Sequence, residues 1–343
     1  MTARSKSGPA RETLAPATGS ASAGGAGSRI SDRTRSGVSI GAGVLEIDTL
    51  LGGWEKVTAG YLINARAPVL IETGSQSSVP VLLAELDRLG VGPSDLAGVI
   101  VTHIHLDHAG GVGDVAEAFP RATVYVHAKG ARHLVDPTRL VDSAGRVYGD
   151  LLDGLYGRMT ATDPERIKVL EDGDQVRVDA GRVLVAVDSP GHAKHHLGIH
   201  DSTSGILFAG DAVGVRLPDV GVLRPSTPPP DFDLDLAIGS LHRFAARRPA
   251  AIALAHYGLL SDPESLLSEA EEVLRRWSEV AQAAWIAGTD IAASLEEAFG
   301  AEMSGVDPRD SERLETLNGV HSNAAGFRRW LDKRGEGIRR TEP

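Results

Sequence analysis

The run Thr102-His103-Ile104-His105-Leu106-Asp107-His108-Ala109-Gly110-Gly111 follows residues 96–102, an apolar stretch that reads as a buried strand. His103 and His105 stand two apart where that strand ends, so its alternation points both to one side. Asp107 and His108 follow as the chain turns away and approach from another direction. The glycines after them let the backbone bend into the next helix. Four metal-competent side chains within six residues, at the mouth of a buried strand, read as a metal site rather than a solvated polar loop.

Working outward, three more segments end apolar strands with ligand-type residues. Asp188-Ser189-Pro190-Gly191-His192 follows residues 183–187, Asp211 closes Leu207-Phe208-Ala209-Gly210-Asp211, and His256 ends Leu254-Ala255-His256. With the first cluster they make five histidines and three aspartates. The 343 residues contain no cysteine, which excludes disulfides, thiolate ligands and cysteine nucleophiles, so a metal must sit on imidazole and carboxylate. Zinc, manganese and iron suit such donors.

The ordered series, HxHxDH and then His, Asp and His, each at a strand end, resembles the metallo-β-lactamase superfamily over roughly residues 44–258. The elements Ser189-Pro190-Gly191-His192, Ala209-Gly210-Asp211-Ala212 and Arg224-Pro225-Ser226-Thr227-Pro228-Pro229-Pro230 resemble a branch of bacterial and archaeal hydrolases. The resemblance implies an α+β fold, an αββα sandwich with the site at one edge of the sheets. It assigns His103, His105 and His192 to one metal, Asp107, His108 and His256 to another, and makes Asp211 the bridge. Two Zn2+ ions per chain are the expected cofactor, with iron or manganese as alternatives. Ions about 3.5–4 Å apart can share a hydroxide and polarise a substrate oxygen. Glu72 or Asp188 is expected to support a ligand from behind.

That implies hydrolysis of an ester, thioester, lactone or phosphodiester in a small-molecule substrate, with the leaving group protonated by water or by Asp107. The alternative is a single iron on His103, His105 and His192 oxidising a persulfide or similar thiol. Two departures matter. Asp211 stands where one β-lactamase branch has cysteine, which argues against antibiotic hydrolysis. His105 stands where the flavo-diiron branch has glutamate, which argues against an oxygen-reducing diiron centre.

Around this core, residues 1–37 are rich in Gly, Ser, Ala, Thr and Arg without hydrophobic period and read as a disordered tail. Residues 38–260 read as the sandwich domain and 261–343 as a helical C-terminal extension whose apolar faces could support a homodimer. Strands are expected at 61–64, 68–72, 123–127, 167–170, 175–178, 182–188, 197–200, 206–209 and 251–255. Asp172-Gly173 and Asp179-Ala180-Gly181 read as hairpin turns. Helices are expected at 79–89, 112–119, 129–135, 138–156, 234–247, 263–287, 290–299 and 311–333. Acidic residues outnumber basic ones by 46 to 35, a formal charge of −11, which argues against a nucleic-acid partner. No apolar run would span a bilayer and no apolar core follows the basic N-terminus, so the cytoplasm is the expected location.

Several other residues carry weaker expectations. Among His195, His196 and His200, His195 is the better candidate for a chemical role, and His127 could stand behind a ligand. His133 and His242 read as surface residues. Arg216 and Arg224 could read a substrate carboxylate or phosphate, and with Arg328 could attract a glutathione-like thiol. Asn318, His321 and Asn323, which interrupt the helical pattern, read as an exposed turn, with a cap over the site as the alternative.

Overall fold

Successive residues of a strand point to opposite faces, and here both faces of two sheets find apolar cover. The computed structural model describes residues 37–341, with side chains to 335; residues 1–36, nearly all of the expected tail, lie outside the described residues. The first sheet runs in sequence order through β1 (Val38–Gly41), β2 (Val44–Asp48), β3 (Ala59–Ile63), β4 (Val69–Ile71), β5 (Gly98–Ile100), β6 (Thr123–His127) and β7 (Ile167–Leu170). It is antiparallel as far as β4 and parallel from there to β7. The second sheet contains β8 (Gln175–Arg177), β9 (Val183–Asp188), β10 (Leu197–Asp201), β11 (Ile206–Gly210), β12 (Ala251–Leu254) and β13 (Gly258–Leu260), antiparallel except for the β11–β12 pair.

Alternation sorts the side chains into three cores. Tyr61, Ile63, Val69, Ile71, Leu184, Ala186, Ile199, Phe208 and Ala253 fill the space between the sheets. Leu62, Leu70, Val99, Val124 and Val126 face outward beneath α1 (Val79–Arg88), α2 (Leu106–Ala109), α3 (Val112–Ala118), α4 (Ala128–Val135) and α5 (Thr138–Tyr148). Val187, Leu207, Ala209, Ile252 and Leu254 face the opposite way, against the layer that begins with α6 (Leu234–Ala246). The fold is therefore an αββα sandwich of the α+β class, as the sequence implied. Tyr61 joins the sheets: its ring packs on Phe208 at 5.1 Å and its hydroxyl donates to the Leu254 carbonyl.

The C-terminal helices are α7 (Pro263–Ala287), α8 (Ile291–Phe299), α9 (Pro308–Asn318) and α10 (Val320–Thr341). Leu274, Trp277, Leu295, Phe327 and Trp330 share one continuous core with β11, β12 and α6. Among the described residues no helix is long and apolar enough to cross a membrane.

Three local expectations are corrected, and three strands are added. Asp172-Gly173 is not a hairpin turn: β7 and β8 belong to different sheets, and this turn carries the chain across. Residues 138–156 are not one helix, because Gly149 at φ 54° ends α5 before a short π-turn at Leu152–Tyr156. Residues 311–333 likewise divide at Gly319, whose extended backbone separates α9 from α10. Strands β1, β2 and β13 are additional to those expected; β1 and β13 are sheet edges, and β2 lies between β1 and β3.

One buried ion pair ties the sheets at the end of β9. Arg182 and Asp201 are both buried, and Arg182 also donates from Nη1 to the Ala42 carbonyl of the first sheet at 2.7 Å. Burial alone would raise the Asp201 pKa, but hydrogen bonds from Arg182, Ser204 and the Thr203 amide outweigh it and hold it below the usual carboxylate value. Asp201→Asn leaves the guanidinium without its counter-charge and should lower the unfolding free energy in urea by about 3 kcal/mol at neutral pH. A carboxylate with a depressed folded pKa stabilises fully above its unfolded value of about 3.9. The gap between variant and wild type should therefore narrow as pH falls through the folded value; a gap constant into strong acid would contradict this.

Candidate metal centre

The residues that end strands on both sheets meet at one edge of the sandwich. β5 leads through Thr102 to His103, and the next turn carries His105 to the N-terminus of α2, which holds Asp107 and His108. β9 leads to His192, β11 to Asp211 and β12 to His256. The structure brings all seven together in overlapping groups: His103 with His105 and His192, His103 with His108 and Asp211, and Asp107 with His108 and His256. Asp188 stands apart, paired with His127 at 3.5 Å and about a third exposed.

In the first group, His105 Nδ1 lies 2.9 Å from His103 Nε2 and 3.0 Å from His192 Nε2. In the third, His256 Nε2 lies 3.1 Å from His108 Nε2 and 3.5 Å from Asp107 Oδ2. Asp211 faces both. Its Oδ1 is 3.3 Å from His108 Nε2 and 3.4 Å from His256 Nε2, and its Oδ2 is 3.6 Å from His192 Nε2.

Three of the five imidazoles have a hydrogen-bond partner at the nitrogen away from the cluster. His192 Nδ1 donates to the Ser226 carbonyl at 3.1 Å and His256 Nδ1 to the Val57 carbonyl at 2.8 Å, which leaves both Nε2 lone pairs directed at the cluster. His103 Nδ1 meets the Thr102 hydroxyl at 3.0 Å. Behind His108, Glu72 Oε2 lies 3.5 Å from Nδ1 while Oε1 accepts the Thr102 amide.

Electrostatics divide the cluster. Burial and neighbouring histidines lower His103 and bring His105 to about 4, and burial also lowers His192 despite Asp211. Burial opposes protonation of His108 and His256 as well, but Asp211 and Asp107 overcome it and raise both. Against burial, the two histidines hold Asp107 at about 2 and Asp211 well below the carboxylate range. A divalent cation fits this setting: the donors are all imidazole and carboxylate, and the buried oxygens Asp211 Oδ1 and Glu72 Oε2 lack hydrogen-bond partners.

The sequence underrated His196. Its Nε2 accepts the Asp211 amide at 3.2 Å and its Nδ1 donates to the Ser189 hydroxyl at 2.8 Å, so it positions the Asp211 backbone. Gly210, at φ 51°, must be glycine there, since a Cβ would lie 2.5 Å from His196 Nε2. His195, the favoured one of the three, stacks on His103 with centroids 6.2 Å apart. His200 lies on β10 and is only partly buried. His127 caps α4 by accepting the Lys129 amide. His133 is partly buried and His242 exposed.

The expected substrate-reading arginines are engaged elsewhere. Arg216 pairs with Glu269, and buried Arg224 pairs with Glu315 and donates to the Asn318 carbonyl. Arg328 is exposed. The expected exposed turn is also corrected. Asn318 and Asn323 are buried, Asn323 Oδ1 accepts the Thr227 amide at 2.7 Å, and only His321 points into solvent. Asn318 lines a cavity of about 240 Å³ above the cluster, whose floor includes His105, Asp107, His192 and Asp211.

Residues 52–256 match the family model of the metallo-beta-lactamase superfamily. The chain belongs to that superfamily. This membership implies divalent metal binding, and hydrolases are among its relatives. The metallo-beta-lactamase fold-containing protein ST1585 of Sulfurisphaera tokodaii is 27% identical over 210 residues, 60% of this chain and 75% of the relative. The acyl-coenzyme A thioesterase MBLAC2 of Gallus gallus is 34% identical over 137 residues, 38% of this chain and 46% of the relative. A hydroxyacylglutathione hydrolase of Synechococcus sp. is 30% identical over 144 residues, 41% of this chain and 45% of the relative. In fold, the chain is similar to the crystal structure of ST1585, with a TM-score of 0.61 at 22% identity over 83% of this chain and 98% of that one. The metallo-beta-lactamase family protein TTHA1429 of Thermus thermophilus gives 0.60 at 21% identity over 87% and 95%.

Glu72→Gln removes the charge behind His108 while keeping the amide contact of Thr102. It should weaken metal affinity about 10–100-fold, as read by competition with a chromogenic chelator. Wild-type affinity in this variant would deny Glu72 any part in the centre.

Proposed function

We propose that the chain is a binuclear metal-dependent hydrolase acting on ester-type bonds of a small molecule. The observation that carries this reading is Asp211, whose two oxygens face two donor groups, His108 with His256 on one side and His192 on the other. Such a carboxylate could contribute one oxygen to each of two cations held by these groups. A pair of divalent ions supplies an activated water at neutral pH and a Lewis acid for the substrate oxygen. Relatives named as a hydroxyacylglutathione hydrolase and an acyl-coenzyme A thioesterase support cleavage at an acyl carbon.

The protein's own residues supply the rest. His103, His105 and His192 are neutral at working pH, so their nitrogens are available as donors without first losing a proton. Asp107 borders the cavity and is ionised at neutral pH, so it accepts before it donates. It takes the proton released as water attacks and returns it to the leaving group, which fits a carboxylate better than a standing acid. The cavity walls hold the acyl carbon above this floor.

Protein purified without added metal should contain about two zinc ions per chain, and His103→Ala and Asp211→Ala should each lower kcat/KM on a screened ester by more than about 100-fold, beyond what an outer partner contributes. One iron per chain with thiol-dependent oxygen uptake would replace this reading with the mononuclear dioxygenase.

Acid should remove the metal in two stages. His108 and His256 have raised pKa values, so protons compete for their nitrogens at a higher pH than for His105, held at about 4. Dialysis from about pH 8 to about pH 5 should release one equivalent first, and His256→Ala should lack that labile equivalent. Simultaneous release of both, with His256→Ala unchanged, would count against two distinct sites.

A further inference from the structure

The cavity above the donor cluster has a charged floor and largely apolar walls. One wall is α5, which contributes Leu140, Ala144, Val147 and Tyr148. The strap Pro228-Pro229-Pro230 and Leu317 of α9 supply further parts of the wall. Among the described residues, no lysine or arginine lines it. Three cations near the rim are engaged: Arg146 donates to Ser143, Lys194 pairs with Asp231, and Lys333 donates to the Pro230 carbonyl. The apolar surface continues outward, since Val147 is 72% exposed and Leu151 60%. Exposed apolar surface joined to a site is a common mark of ligand contact.

The strap wall is built to stay in place. Asn323 accepts both the amide and the hydroxyl of Thr227, and Asn318 Nδ2 donates to the Pro225 carbonyl. Gly326 of α10 lies so close that a Cβ would fall 1.6 Å from the Thr227 carbonyl oxygen. A preformed apolar trough costs little ordering when an alkyl chain enters it.

We propose that the substrate is a neutral ester-type molecule whose acyl part is a medium-length alkyl chain, seated between α5 and the proline strap. The proposal rests on the ester-type reading above and adds what flanks the reacting bond. A carrier rich in carboxylates or phosphates beside that bond would meet no cationic partner in these walls, only neutral groups such as Ser143, Asn318 and Ser322, whereas an alkyl chain meets Leu140, Ala144, Val147 and Leu317.

Two measurements on the full-length, metal-loaded protein separate this proposal from the reading beneath it. The first is calorimetric binding of uncleaved neutral amides, from acetamide through butyramide to octanamide. Each buried methylene is worth about fourfold in affinity, so octanamide should bind at least tenfold tighter than butyramide, with a negative heat-capacity change. Val147→Asp, at an exposed position that folding tolerates, and Ala144→Trp, which fills the trough, should each weaken octanamide at least fivefold. The second is kcat/KM for p-nitrophenyl esters from acetate to octanoate, which should rise with chain length through KM.

Amide affinity independent of chain length, or unchanged in both variants, would overturn the proposal even if esters were cleaved. Tight octanamide binding without cleavage of any ester would keep the alkyl site and remove the hydrolytic reading. Preference for S-lactoylglutathione over the octanoyl ester would overturn the neutral-substrate claim. A dimer dissociated by Val147→Asp, with no alkyl binding, would give the patch to a second copy and overturn it as well.

Discussion

Burying imidazoles and carboxylates together is costly unless every polar atom has a partner, and that constraint organises the sandwich. His103, His108, His192, Asp211 and His256 are all nearly inaccessible to solvent. Part of that cost is met within the protein: the carbonyls of Ser226 and Val57 fix two rings and His196 holds the Asp211 amide, whereas Asp211 Oδ1 and His108 Nδ1 have no hydrogen-bond partner among the described residues. These partners lie far apart in sequence and come together only when the strand ends of both sheets converge. Glu72 shows the cost of that convergence. It holds φ 64°, where a side chain is strained by about 1–3 kcal/mol, and there its two oxygens face the Thr102 amide and His108. A residue in strain and in contact with the cluster is held by its surroundings rather than by local preference.

The C-terminal helices belong to the same argument. Their apolar faces complete the core over β11, β12 and α6, and the junction of α9 and α10 forms part of the cavity wall. The polar residues at that junction are satisfied inside the protein. Asn318, Asn323 and Thr227 form a closed hydrogen-bonded group, and buried polar groups of this kind fix one geometry where apolar packing alone would allow several. Removing these helices would expose the outer face of the second sheet and free the strap that lines the cavity.

Which features were legible in the sequence follows from how local their physics is. The cluster from His103 to His108 announces itself because its donors are adjacent and follow a buried strand. His192, Asp211 and His256 were legible because each closes an apolar strand, although each alone is ordinary loop chemistry. The Asp172-Gly173 turn misled because the same tight-turn residues serve a hairpin and a crossing between sheets, and only pairing of β7 with β6 and β8 with β9 decides between them. Asn318 and Asn323 misled in the other direction: polar side chains in a helical pattern suggest solvent, and their partner Thr227 is distant in sequence. The arginines were misjudged likewise, since Glu269 and Glu315 are near Arg216 and Arg224 only in the folded chain. His196 gives no local sign of its bond to Asp211.

Floor and wall of the cavity are held by different means, and this separates chemistry from selectivity. The floor side chains stand at strand ends or on the short α2 beside them and are fixed by backbone carbonyls, amides and buried carboxylates, so a substitution there disturbs several groups at once. The α5 wall is a surface helix ended by Gly149, with Val147 largely in solvent and few ties to the cluster beneath. Its residues can change in size and polarity without loosening a donor. A fold arranged in this way keeps one metal geometry while the adjoining helix sets what enters, and here α5 offers alkyl surface rather than charge.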